Sequence, residues 1–257
     1  MGATLGPVQP EIHIGPLTLQ SFGICFAVGF IACGAVAARR LPEIGKPRDW
    51  AYESSFASLV GGLVGARIDY VSENWSTAKH DLLGSLFSGS GLVWYGGVIG
   101  GTLGVVLWAH RRHFLGLALL DYAAPLLALG YAIGRIGCQV SGDGDYGTAS
   151  SLPWAMAYPH GTKPIHTTVQ PTPIYETLAM GLMALALWRL RDRFRPGILF
   201  ALYLVLSGTE RVLVEIIRRN HAVVAGLTVP QLFSLALVAA GVAWLVQAQK
   251  PLLRAIS

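Results

Sequence analysis

Residues Leu115–Cys138 read LGLALLDYAAPLLALGYAIGRIGC, and residues 139–147 continue QVSGDGDYG. The first block is long and apolar enough to cross a bilayer core, which takes about 20 residues in a helix. The second is glycine-rich and polar, set directly against the end of the first. Such a run reads as backbone folding back at the membrane edge, which is tolerated only where it lines a cavity. Together they predict an all-α, polytopic membrane protein with a polar cavity.

Six further apolar blocks lie outward from this stretch, at roughly 18–38, 52–72, 91–109, 173–189, 197–217 and 229–247. With 115–138 they make seven expected transmembrane helices in one domain covering 1–257. Composition agrees. Of 257 residues, 53% are hydrophobic and 13% charged, with mean hydropathy +0.52. A soluble domain carries about twice that charged fraction, so a water-soluble reading is excluded. Glycines recur inside the blocks, as in Gly61-Gly62-Leu63-Val64-Gly65 and Gly96-Gly97-Val98-Ile99-Gly100-Gly101. Small residues let helices approach closely in lipid, so packing accounts for most of them. Cys25 and Cys33 read as small buried hydrophobes of the first block. Residues 1–16 lack the basic, apolar and small-residue pattern of a cleaved signal peptide.

Loop charges set an expected orientation. Twelve cations fall in one set of loops: Arg39, Arg40, Lys46, Arg48, Arg111, Arg112, Arg189, Arg191, Arg193, Arg195, Lys250 and Arg254. The other set holds four: Lys79, Lys163, Arg218 and Arg219. The positive-inside rule puts the first set in the cytoplasm, the N-terminus outside and the C-terminus inside. The net charge of +5 then belongs to membrane topology, and no nucleic acid is expected as a partner.

Three of the nineteen basic residues remain, Arg67, Arg135 and Arg211, each in or at the outer end of an apolar block. An arginine near the bilayer centre costs about 3 kcal/mol on insertion scales. Each could pair with Asp69, Glu210 or Glu215 and only stabilise the bundle. Three at one expected depth favour an anionic ligand, and lipid phosphate is the anion found there. Arginine suits phosphate because its planar fork donates two parallel hydrogen bonds and stays charged.

The stretch Gly134–Gly147 adds a thiol, an amide, a hydroxyl, two carboxylates and a phenol to Arg135. Asp143 and Asp145 are thin support for a hard cation, which needs more oxygen ligands. No metal and no cofactor are therefore expected. Cys138 reads either as a nucleophile or as a small residue where the chain leaves the span. Gln170-Pro171-Thr172-Pro173-Ile174-Tyr175-Glu176 opens the fifth block, and Glu176 in its first turn could be a plain cap. Arg211, Glu215 and Arg218 are spaced four and three apart, so they share one helix face. At the end of an apolar span that face reads as lining a cavity.

At these residues the chain resembles the bacterial prolipoprotein diacylglyceryl transferase family. The resemblance runs from Ile14-Gly15-Pro16 through the seventh block. Its pieces are Gly65-Ala66-Arg67, Gly96-Gly97, Gly134-Arg135-Ile136-Gly137 with Gly142, Asp143 and Tyr146-Gly147, then Pro171-Thr172 with Tyr175-Glu176, and Arg211 with Glu215. No piece is specific alone; the ordered set is. The resemblance implies transfer of diacylglycerol from phosphatidylglycerol to a lipobox cysteine thiol near the signal peptide of a secreted precursor. The expected location is the bacterial inner membrane, with the cavity open to the outer leaflet and membrane lipids around it. It implies catalytic roles for Arg135, Arg211, Tyr95 and Asp143. Taken with the residue reading above, it gives substrate contacts for Arg67, Cys138, Gln139, Gly142, Gly147, Glu176, Glu215 and Arg218, with the resemblance implying that Glu215 orients Arg211. The chain departs from the family pattern at Tyr95 (histidine), Cys138 (asparagine), Phe22 (tyrosine) and Thr148 (arginine). These changes leave open a related transferase that uses a phospholipid donor with another acceptor, or a membrane protein that binds or transports lipid without chemistry.

Overall fold

The computed structural model describes residues 8–79 and 94–254. The elements in chain order are β1 (Glu11–Ile14), β2 (Leu17–Gln20), α1 (Ser21–Glu43), α2 (Trp50–Glu73), the single turn α3 (Trp75–Ala78), α4 (Trp94–Arg111), α5 (Leu117–Ser141), β3 (Met156–Tyr158), β4 (Ile165–Val169), α6 (Thr172–Leu190), α7 (Ile198–Ile217) and α8 (Val229–Arg254). A helix falls on each of the seven apolar blocks. Ser21–Glu43, Leu117–Ser141 and Val229–Ala248 are long and apolar enough to cross a membrane on length and composition alone. The start of the third block and most of 73–90 lie outside the described residues.

The helices are joined by more strand than an all-helical reading anticipates. β1 and β2 pair antiparallel, Glu11 opposite Gln20, around Gly15 at φ +60. The first helix therefore starts at Ser21, after residues 18–20 that hydropathy alone assigns to a span. β3 and β4 form a second antiparallel pair in the long connection before α6.

The chain packs as two compact units, residues 33–119 in one and residues 1–32 with 120–257 in the other. In the first, α2 and α4 run antiparallel with their backbones in contact. Gly65 lies against Gly96 and Gly100, and Gly61 lies against Gly100 and Gly104. A Cβ on Gly65 would meet the Gly100 Cα at 2.8 Å, so only glycine permits this approach. Asp69 accepts a hydrogen bond from the Gly96 N–H at 2.8 Å, satisfying an orphan donor at the start of α4. At the opposite end Glu53 accepts from Trp108 Nε1 and Arg112 Nε, each at 2.8 Å. Trp50 packs edge-on against Trp108 at 5.7 Å, and Lys46 lies over the Trp50 ring at 5.4 Å.

In the second unit, Ala124, Ala128 and Ala132 of α5 pack with Met180, Met183, Ala184 and Leu187 of α6 and Leu199 of α7. Alanine at four-residue spacing lets the thick methionine face come close. Asp121 accepts from the backbone N–H of Gly197 (2.6 Å) and Phe200 (2.9 Å), which caps α7 where Gly197 turns left-handed at φ 92. α8 packs along α7, with Gly208 against Ser234 and Val238. Phe22 and Cys25 of α1 lie against Gly137 of α5.

Candidate active site

α5 runs three residues past the expected end of its span and stops at Ser141, so Gln139 belongs to the helix. Gly142 then turns the chain at φ +60 and Gly144 again at φ +101. A Cβ on Gly142 would meet the Gly161 Cα at 2.7 Å and Val8 Cγ1 at 2.8 Å, so the turn is held on both sides. Below it, Tyr146 stacks on the fully buried Tyr158 at 4.0 Å and 15°. Burial pushes the Tyr146 phenol up to about 12 and the Tyr158 phenol further. Tyr158 donates to Gln139 Oε1 at 2.9 Å, and Gln139 Nε2 faces Met156 Sδ at 3.0 Å. Gln139 is thus spent on holding this loop.

The loop returns past Gly147, whose N–H donates to Gln170 O at 2.9 Å. A Cβ there would meet Ile217 O at 2.8 Å, Gln170 Cβ at 2.9 Å and Thr172 Cγ2 at 3.0 Å. The Thr148 N–H donates to Ile217 O at 2.8 Å. Gly147 is therefore wedged between the start of α6 and the end of α7. That contact carries Asp145 to the two helix ends.

Six charged side chains meet there. Glu176, in the first turns of α6 and wholly buried, is their centre. Its Oε1 accepts from Arg211 Nη1 at 2.9 Å and from the Tyr131 hydroxyl at 2.7 Å. Arg135 Nη2 lies 3.3 Å from the same oxygen and donates to the Tyr131 hydroxyl at 2.9 Å. Glu176 Oε2 accepts from Arg218 Nη1 at 3.4 Å. Asp145 bridges Arg135 Nη1 and Arg218 Nη2, one carboxylate oxygen to each. Glu215 lies 3.2 Å from Arg211 Nη2 and 3.8 Å from Arg218 Nε, and it accepts from Asn220 (2.6 Å) and Thr228 (2.9 Å). The three arginines are matched by three carboxylates. Charges buried this deeply persist only when paired and hydrogen-bonded.

Five of the sequence-expected residues, Arg135, Arg211, Glu176, Glu215 and Arg218, meet in this cluster, and Gly147 and Gly142 shape the loop that reaches it. Asp143 forms no ion pair with the arginines among the described residues. Its Oδ1 accepts the Asp145 N–H at 3.2 Å, and burial pushes its carboxyl above the ordinary range. Asp145 is the acid that meets the guanidiniums. Burial pushes it up too, but Arg135 and Arg218 more than offset this and hold it below the ordinary range. The two glycine turns decide which acid points inward. Cys138 is buried with its Sγ 3.8 Å from Arg135 Nη1. Cys138, Asp143 and Asp145 bring ligand atoms within 4.8 Å of one another. Both Asp145 oxygens already face guanidiniums, so a cation there would sit against Arg135 and Arg218. Arg67, on α2 of the other unit, is half-buried with a polar interaction of its own. Tyr95 lies in the first turn of α4, and its side chain is outside the described residues.

Tyr131 also belongs to the cluster, although neither charge nor motif singles it out in the sequence. It stands four residues before Arg135, so the two share a helix face, and the Arg135 guanidinium lies 4.8 Å from its ring centre. That spacing was the available signal. Asn220 and Thr228 carried none, because they reach Glu215 through the turn between α7 and α8.

The family model for prolipoprotein diacylglyceryl transferase matches residues 10–247. A protein of Leptospira interrogans (strain Fiocruz L1-130) named phosphatidylglycerol–prolipoprotein diacylglyceryl transferase is 35% identical over 81% of this chain and 73% of its own length. Proteins of the same name from Methylobacillus flagellatus and Clostridium tetani are 31% and 29% identical. They cover 91% and 88% of this chain, and 93% and 92% of their own lengths. A membrane-type helical chain, an arginine cluster at its helix ends and these matches agree: the chain belongs to the prolipoprotein diacylglyceryl transferase family.

Proposed function

We propose that this protein transfers diacylglycerol from phosphatidylglycerol to the thiol of a lipobox cysteine in a secreted precursor, releasing glycerol phosphate. The observation that carries the reading is the cluster of Arg135, Arg211 and Arg218 around buried Glu176. Its guanidiniums stay charged and present forks suited to phosphate oxygens.

The charge balance of the cluster indicates how phosphate enters. Glu176 and Glu215 have fully buried side chains, whereas the Asp145 side chain is 35% exposed on a glycine-turned loop. The phosphodiester takes the place of Asp145 on Arg135 and Arg218. Glu176 and Glu215 keep the guanidiniums aimed. The thiol gives up its proton as its sulfur attacks the carbon of the diacylglycerol moiety that carries the phosphate oxygen. A C–S bond forms, the C–O bond breaks, and its electron pair stays on the phosphate. The arginines stabilise the charge that develops there, the largest catalytic term a preorganised site supplies. Asp143, on the loop that carries Asp145, completes the catalytic set in this reading. Cys138, Gln139, Gly142 and Gly147 line or shape the lipid site.

The same reading takes all seven apolar helices as spans of one membrane transferase domain. The N-terminus is outside, the C-terminus is cytoplasmic, and a polar cavity opens to the outer leaflet of the bacterial inner membrane. Expression in cells depleted of their own transferase tests it. Restored maturation of lipoproteins is expected, with R135A and R211A failing. Expression in the membrane without restored maturation would refute the assignment.

A further inference from the structure

Glu210 lies on α7 immediately before Arg211, and the mechanism above gives it no work. It lies within electrostatic range of Tyr131 and Arg135 on α5, Glu176 on α6, and Arg211 and Arg218 on or beside its own helix, and it forms no ion pair with any of them among the described residues. The α8 residues against this stretch, Ser234 and Val238, are uncharged. Its Oε1 is buried and has no hydrogen-bond partner among the described residues. The other acids are engaged: Glu176 holds a phenol and guanidiniums, Asp145 two guanidiniums, Glu215 an amide and a hydroxyl, and Asp143 the Asp145 N–H. Glu215 Oε2 also lacks an aligned hydrogen bond, but it lies 3.2 Å from Arg211. Glu210 is thus a further carboxylate near the arginine cluster, with a buried acceptor atom that no described group uses.

A peptide thiol has an ordinary pKa near 8.5, so at neutral pH most of it must lose a proton before sulfur becomes nucleophilic. We propose that Glu210 is the proton acceptor for the attacking thiol; the proposal rests on the transfer reading above. The S–H proton passes to Glu210 Oε1 as sulfur bonds to the glycerol carbon. The leaving electron pair goes to the phosphate oxygen held by the arginines. Glu210 then yields its proton to solvent or to the departing phosphate monoester. With phosphate in the place of Asp145, protonation of Glu210 offsets the negative charge that the leaving phosphate gains, so the total charge facing the three guanidiniums is unchanged.

The test is transfer to a lipobox peptide in phosphatidylglycerol micelles, across pH, with wild type, E210Q and E210D. General base catalysis contributes roughly 10²–10⁴-fold. E210Q is expected to lose at least about 10²-fold in kcat at pH 7, with little change in KM for lipid. Its rate should climb tenfold per pH unit until the thiol ionises by itself near 8.5. A selenocysteine peptide, whose selenol ionises unaided, should restore E210Q toward the wild-type rate. E210D should be slowed but keep the wild-type pH profile. A wild-type kcat and pH profile in E210Q, or a loss that the selenol does not rescue, overturns the proposal. Should E210Q fail to fold, an undiminished E210D rate overturns it. A wild type that forms no thioether contradicts the transfer reading itself, which separates the two failures.

Discussion

Glu176 accepts from Arg211 and Tyr131 on one oxygen and faces Arg218 with the other, in a position closed to solvent. Removing it strands guanidiniums in the interior. Breaking a buried ion pair from one side costs about 3–5 kcal/mol, so E176A should lose folded protein, read by thermal unfolding in detergent. R135K tests a different property of the same cluster. It keeps the charge and loses the fork that spans Asp145 and the Tyr131 hydroxyl. Its kcat should fall by roughly 10²–10³-fold, the usual loss for one transition-state donor, while the fold stays intact. Asp145 ionises in the fold at lower pH than in the unfolded chain. Its stabilising contribution is therefore complete above the ordinary aspartate value of about 3.9 and is lost as pH falls through the lower folded value. D145N lacks this acid-side loss, so unfolding midpoints followed from pH 5 downward should converge with those of wild type. Sequence spacing gave Arg211, Glu215 and Arg218 as one face, because four- and three-residue steps fix it. It could not choose between Asp143 and Asp145, because two left-handed glycines set their directions.

At the scale of elements, the glycines of α2 and α4 carry the most stringent geometry. A side chain on Gly65 would enter the backbone of Gly96 and Gly100, with no flexible atom to yield. G65V should abolish accumulation of folded protein, whereas the same change at Gly23, where a Cβ meets nothing within 4 Å, should be tolerated. Fluorescence-detected size exclusion separates the two outcomes. The helices themselves were readable because a bilayer fixes their length and apolarity. The two hairpins were not, because each is three to five residues per strand and carries no apolar run. Nor were the caps supplied by Asp69 and Asp121. Each serves a helix start distant in sequence, Gly96 and Gly197, so no local motif announces it.

For the whole molecule, twelve basic residues in one set of loops against four in the other set an orientation that reporter fusions can read. A reporter active only in the cytoplasm should work when fused after Arg193 and fail when fused after Lys163. The reverse pattern would invert the topology and put the arginine cluster at the wrong leaflet for a secreted acceptor. The central claim is that this cluster binds the phosphate of phosphatidylglycerol while a thiol displaces it. The most direct measurement is the yield of glycerol phosphate and thioether-linked peptide from phosphatidylglycerol and a lipobox peptide with the purified protein. Wild type should release one glycerol phosphate per lipidated peptide, and R135A and R211A, in preparations whose folding is verified by size exclusion, should release neither product. Equal activity in those variants, or glycerol phosphate released with no lipidated peptide, would contradict the account.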